Sequence, residues 1–198
     1  MIHRTIILLI MGAWPLASFL GAADFSAASK GEGRSLNSRL PGKTMELVDR
    51  NFPSEKTTTG YSYRLTADEV AAIRAESGGR WPGDSLIVLA AERKDTLLGY
   101  VVTDDVKGKD QYITYGLALT PDLVVTDLEV LTYREPYGYE VGYKSWREQF
   151  LGKTPADRLR HGREIRNISG ATISARAVTL GVYKILCTLR ILRHQLPR

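Results

Sequence analysis

Apolar residues in the middle of the chain come in short runs divided by polar turns. Runs at residues 86–91, 97–103, 112–119 and 124–133 are separated by Arg93-Lys94-Asp95, Val106-Lys107-Gly108-Lys109 and Thr120-Pro121-Asp122. Short turns between consecutive β-rich runs predict an antiparallel meander. In the third run Ile113, Tyr115 and Leu117 alternate with Thr114, Gly116 and Ala118, which offers one face of the sheet to helices. Upstream, residues 57–65 alternate around Tyr61 and Tyr63 as a strand does. Thr66-Ala67-Asp68-Glu69 has the form of a capping box, opening a helix that Gly78-Gly79 ends. A shorter helix over residues 44–51 uses Met45, Leu47 and Val48 and stops at Phe52-Pro53. The fold class this pattern predicts is α+β, a β-meander packed against helices.

The longest periodic segment predicts a C-terminal helix over residues 172–192. Ala171, Ala175, Val178, Val182, Ile185 and Leu189 form its apolar stripe, and Thr172, Arg176, Thr179 and Tyr183 fall on an adjacent, more polar face. Just before it stands Asn167-Ile168-Ser169-Gly170-Ala171-Thr172-Ile173-Ser174. A helix N-terminus presents unpaired N–H groups and a partial positive charge, which suits a phosphate. Gly170 and Ala171 leave room for one, and Thr172 offers a hydroxyl to which a phosphate can be hydrogen-bonded or esterified. The plainer reading makes Ser169 an N-cap opening an ordinary helix. Residues 167–169 also form an N-glycosylation sequon, which overlaps this stretch.

Ser169-Gly170-Ala171-Thr172, followed by an apolar and then a hydroxyl residue, resembles the flavinylation motif of the FMN-binding domain family. That family includes the C subunit of the sodium-translocating NADH:quinone reductase and the G subunit of Rnf-type electron-transport complexes. The resemblance implies FMN held through a phosphoester on Thr172, installed by a separate flavin transferase, with Ser169, Gly170 and Ala171 beside it. It extends over residues 47–183, to the helix ending in Phe52-Pro53, to Glu135, Pro136 and Gly138, and to Trp146, Gln149, Phe150, Gly152 and Lys153. On this basis residues 44–198 form the FMN-binding domain and Glu135 is a further cofactor contact. The family aspartate six residues before the threonine is replaced here by Arg166. That departure favours a second reading in which FMN, or another phosphate-bearing ligand, is held reversibly and the arginine helps neutralise it.

Tyr133, Tyr137, Tyr139, Tyr143 and Trp146 crowd the segment after the meander. Their rings suit either the flanks of an isoalloxazine or the filling of a core or sheet edge. Trp146 and Phe150 are spaced to pack together on the sheet, with Gly152 as C-cap. The connection over residues 154–166 carries Arg158, Arg160, Arg163 and Arg166 and reads as a solvated basic loop, with a lesser reading in which it helps hold phosphate.

Composition narrows the function without choosing it. The chain has 198 residues and a net charge of +5, with no dense Lys/Arg run, so no nucleic-acid partner is expected. Arg4, the apolar residues 5–20 and Gly21-Ala22-Ala23 have the layout of an export signal over residues 1–23, with an uncleaved membrane anchor as the alternative. Residues 24–43 read as a flexible tether. A single cysteine, Cys187, and three scattered histidines, His3, His161 and His194, give no disulfide and no metal-ligand spacing. No nucleophile–base or acid–base pair stands out, so no catalytic residue is assigned. The reading that follows is an extracytoplasmic flavoprotein that passes electrons between membrane or periplasmic redox partners, rather than a stand-alone enzyme. A secreted sensory or binding module, and a cofactor-free interaction domain, are the alternatives.

Overall fold

Among the described residues, six strands pair in chain order, each antiparallel to the next, in a single sheet. The computed structural model describes residues 33–35, 41–53, 55–78 and 83–198, so the export signal or anchor lies outside the described residues. The strands are β1 (Gly33–Ser35), β2 (Thr57–Arg64), β3 (Ser85–Arg93), β4 (Thr96–Lys107), β5 (Tyr112–Leu119) and β6 (Val125–Thr132). The helices are α1 (Gly42–Asn51), α2 (Ala67–Ser77), the one-turn α3 (Lys144–Arg147) and α4 (Thr172–Leu192). The meander is therefore as expected from residue 85 onward, and it is extended at one edge by β2 and by β1. Gly33–Ser35 lies within the segment read as a tether and pairs with residues 59–61. Backbone hydrogen bonds alone make such a pairing, and apolar patterning does not announce it.

Local signals act where the sequence placed them. Thr66 caps α2 with both halves of a capping box, and Gly78 ends it in the left-handed region at φ 67°. Trp146 and Phe150 meet edge to face at 5.2 Å, although the chain between them is a helical turn running into a 3-10 turn over Glu148–Phe150.

Both faces of the sheet are covered. Ile113, Tyr115 and Leu117 join Val102, Leu128 and the apolar side of α4 in the main core. The opposite face, for which the alternation assigns no partner, carries a second core in which Leu47 and Val48 of α1 and Phe52 just after it cover Leu89, Ala91, Val101 and Ala118. α1 is short enough that its three apolar positions do not show in sequence how much sheet they cover.

The apolar stripe of α4 is buried as expected. The polar face beside it is not what the spacing suggested, because every residue from Gly181 to Leu189 is buried, and so is Thr179. α2 packs along the helix, and the C-terminal residues fold back at its end. Tyr63 and Tyr100 on the sheet donate their hydroxyls to the carbonyls of Gln195 and Pro197, which fastens that tail. Thr179 and Thr188 bury their hydroxyls by donating to Ala175 and Lys184 carbonyls one turn back. Cys187 is buried and free, its thiol pushed up to about 11, chiefly by burial, so it is an inert core residue.

Ile185→Ala is expected to lower unfolding free energy by about 2 to 5 kcal/mol. Urea denaturation reads this directly, and a loss under about 1 kcal/mol would contradict the packing of α4 on the sheet.

Candidate functional site

The position of α4 is fixed at its middle. At Gly181 a Cβ would lie 2.5 Å from Tyr115 Oη and 2.5 Å from Val106 Cγ1, so only glycine lets the helix come this close to β4 and β5. One turn on, Lys184 Nζ pairs with Asp104 Oδ2 at 2.7 Å, and Tyr115 Oη–H donates to the same oxygen at 2.9 Å. Asp104 is fully buried, and its Oδ1 has no hydrogen-bond partner among the described residues. Burial first, and then the Asp104 charge, hold the Tyr115 phenol well above its ordinary value, so it stays a donor. This network was not read from the sequence. Its signal was a lysine within an apolar helix and an acidic pair, Asp104-Asp105, inside a strand.

The start of α4 is set by a loop clamped from α3. Trp146 Nε1–H donates to the Arg166 carbonyl at 2.8 Å, and Gln149 Oε1 accepts from the Arg166 backbone N–H at 2.8 Å. Gln149 Oε1 also accepts from Arg166 Nε–H at 3.3 Å, which ties the arginine toward this segment. Trp146, read as a packing residue, is thus also, together with Gln149, the clamp of the loop. From there Ala171 N–H closes a turn onto the Ile168 carbonyl, with Gly170 in the left-handed region at φ 85°. A Cβ at Gly170 would meet nothing within 4 Å. Gly170 therefore supplies both the turn and open space.

Ala171, not Ser169, is the N-cap, and it offers no side-chain capping bond. The first N–H groups of α4 are left without a side-chain partner. The Ala171 methyl is buried, so this residue contributes backbone rather than space. Ser169, Gly170 and Thr172 are exposed and adjacent. Thr172 Oγ1 accepts from Asn167 Nδ2 at 3.1 Å and makes a long contact, 3.5 Å, to the Ile168 carbonyl. Ser174, two residues on, is buried and shares a 2.9 Å hydrogen bond with Tyr133 Oη.

The segment after β6 leans on this first turn. Gly138 has φ 90°, and a Cβ there would lie 2.6 Å from Tyr133 Oη and 2.8 Å from Ser174 Oγ. Glu135, expected at the cofactor, has another partner: its Oε1 accepts from the backbone N–H groups of Asp110 at 2.8 Å and Gln111 at 3.0 Å. Its pKa lies below the ordinary carboxylate value. Desolvation opposes this, but the N–H groups of Gln111 and Asp110 outweigh it. That support of the β4–β5 turn is present above the ordinary value and is lost as pH falls through the lowered one. Of the aromatic residues, Trp146 is in the core, whereas Tyr137, Tyr139 and Tyr143 are 80%, 55% and 51% exposed. Tyr139 and Tyr143 meet edge to face at 5.8 Å. These three rings do not fill the core.

Within the basic connection Arg160 closes onto Glu164, whose carboxyl is drawn down to about 2, chiefly by that guanidinium. His161 Nε2 lies 3.0 Å from Asn167 Oδ1. His161 was not expected at the site, and Asn167, which opens the stretch singled out in the sequence, was given no role there. No group of His, Cys, Asp and Glu among the described residues is arranged to hold a metal. No helix among them is long and apolar enough to cross a membrane.

Comparison with known proteins bears out the family resemblance. Residues 108–186, from the β4–β5 turn to the buried part of α4, match the family described as FMN-binding domain. FMN is accordingly the cofactor. The chain is 30% identical over 133 residues to the G subunit of the Na(+)-translocating ferredoxin:NAD(+) oxidoreductase complex of Acetobacterium woodii, covering 60% of this chain and 62% of that protein. It is 34% identical over 101 residues to the G subunit of the proton-translocating ferredoxin:NAD(+) oxidoreductase complex of Clostridium ljungdahlii, covering 47% and 54%. The chain thus spans less than two thirds of the length of these relatives. Shewanella oneidensis NqrC, a crystal structure, aligns with a TM-score of 0.44 at 19% identity, over 82% of this chain and 80% of that one.

Lys184→Ala leaves the Asp104 carboxylate buried without its cation and is expected to cost about 3 to 5 kcal/mol. Asp104→Leu combined with Lys184→Met should recover most of that loss in the same urea titration. A double variant as unstable as Lys184→Ala would contradict the assignment of the cost to an uncompensated charge.

Proposed function

We propose that this chain is an extracytoplasmic flavoprotein in which FMN is esterified through its phosphate to Thr172, and that it relays electrons as part of a membrane redox complex. The observation that carries the reading is the exposed Thr172 hydroxyl at the start of an uncapped 21-residue helix, beside Gly170 and its open space. The N–H groups at that helix start can hold the remaining phosphate oxygens. Ser169 borders the same opening. Glu135 acts at one remove, by holding the β4–β5 turn behind the segment that leans on Ser174. Tyr137, Tyr139 and Tyr143 offer aromatic faces to an isoalloxazine. Bound FMN supplies one- and two-electron chemistry that no side chain here can, and the protein holds and orients it.

Esterification needs a transferase, since a threonine hydroxyl is a weak nucleophile and no side-chain base bonds to Thr172. The electron-transfer role rests on the kinship with components of ferredoxin:NAD(+) oxidoreductase complexes, whose partners supply the pattern for those proposed here. Export rests on Arg4, the apolar run and Gly21-Ala22-Ala23. Arg166 supports a second reading, reversible FMN binding, because a transferase that reads the family aspartate meets an arginine here.

Coexpressed with a flavin transferase, the protein should gain the mass of FMN less one water and fluoresce on a denaturing gel. Thr172→Ala should lose both signals. Yellow colour that dialyses away from wild type would select the reversible reading, and an adduct that persists in Thr172→Ala would exclude this hydroxyl. Sequencing the N-terminus of the exported protein tests the location: a mature chain starting near Asp24 is expected, and full-length protein in the cytoplasm would overturn it.

A further inference from the structure

The hydroxyl assigned to carry FMN is held by Asn167 and, through Asn167, by His161, two side chains that the flavinylation motif does not supply. Asn167 Nδ2 donates to Thr172 Oγ1 at 3.1 Å, and Asn167 Oδ1 lies 3.0 Å from His161 Nε2. An amide nitrogen only donates and an amide oxygen only accepts. With Nδ2 turned to Thr172, Oδ1 faces the imidazole, which must then carry its proton on Nε2. His161 itself stands on a closed turn, where Gly162 N–H bonds the Ile165 carbonyl at 2.8 Å and Arg160 pairs with Glu164. The Asn167 backbone follows directly on Arg166, which Trp146 and Gln149 clamp. Both ends of the chain of hydrogen bonds are therefore anchored, although Asn167 and Thr172 are exposed.

We infer that Asn167 is a positioning residue for the modification of Thr172, and that His161 sets the orientation of the Asn167 amide. This rests on the esterification reading above. The threonine oxygen has two lone pairs and one proton. Asn167 takes one lone pair and the Ile168 carbonyl lies on the side of the proton, so the other lone pair is presented outward to phosphorus. An exposed threonine otherwise samples three χ1 wells, and holding one keeps the hydroxyl in attacking position.

The step needs a donor whose phosphorus carries a leaving group, which free FMN lacks. A flavin dinucleotide diphosphate meets that need. The Oγ1–P bond forms as the P–O bond of the diphosphate breaks, and the nucleoside monophosphate leaves with the electron pair. The threonine proton passes to a base of the transferase. Nothing is oxidised or reduced.

The test is the initial rate of covalent flavin incorporation into the exported chain by a flavin transferase, with flavin adenine dinucleotide as donor, over a range of chain concentrations. Asn167→Ala should lower the saturating rate at least tenfold with little change in KM. His161→Ala should lower it three- to tenfold, and His161→Gln, whose amide N–H reaches the same place, should return it to within twofold of wild type. Thermal midpoints should stay unchanged in all three variants. In the unloaded protein, nitrogen NMR should find the His161 proton on Nε2. A wild-type rate in Asn167→Ala, an effect confined to KM, no rescue by His161→Gln, or an Nδ1–H tautomer would each overturn the inference. Wild type left unlabelled beside a control protein that is labelled would instead sink the esterification reading, and this inference with it.

Discussion

The close approach of α4 to β4 and β5 is the constraint on which the rest depends. Gly181 removes the side chain that would hold the helix off Tyr115 and Val106, and the Lys184–Asp104 pair sits one turn further along. The apolar burial around the helix supplies the driving force. The ion pair adds little net stability, because desolvation offsets its attraction, but it admits a single rotation and height of the helix. Because α4 is continuous from Thr172 to Leu192, fixing its middle fixes where its first turn emerges.

That first turn is then shaped by residues whose other ends are in the core. Trp146 packs edge to face on Phe150 and reaches the Arg166 carbonyl, Gln149 takes the Arg166 N–H, and Tyr133 takes Ser174. The exposed hydroxyl of Thr172 is thereby separated from its two serine neighbours by geometry. Ser174 is buried and already bonded, and Ser169 lies within the turn that precedes the helix rather than in it. The same clamp holds Arg166 against Gln149, so the residue that departs from the family pattern is built into the loop.

Much of this architecture was legible because it rests on periodicity and local chemistry. The bounds of α4, the meander from residue 85, the capping box at Thr66 and the left-handed Gly78 all follow from short-range patterns. What was missed depends on contacts between distant segments. Thr179 and Tyr183 look polar on a helical wheel, yet both are buried in the fold. Glu135 lies in a family-like stretch, yet its carboxylate serves the Asp110 and Gln111 amides. His161 looks like one of three scattered histidines in sequence, and only the folded loop sets it beside Asn167, the partner of Thr172.

The central claim is that one hydroxyl among three neighbours carries the flavin. Trypsin cutting after Arg166 and Arg176 releases residues 167–176, which hold Ser169, Thr172 and Ser174 together in one peptide. Fragmentation of that peptide from transferase-treated protein, by a method that keeps the phosphoester intact, assigns the attachment residue by residue. The account predicts the FMN mass on every fragment that contains Thr172 and on none that lacks it. The mass on fragments holding only Ser169 or only Ser174, or an unmodified peptide from fully yellow protein, would contradict it.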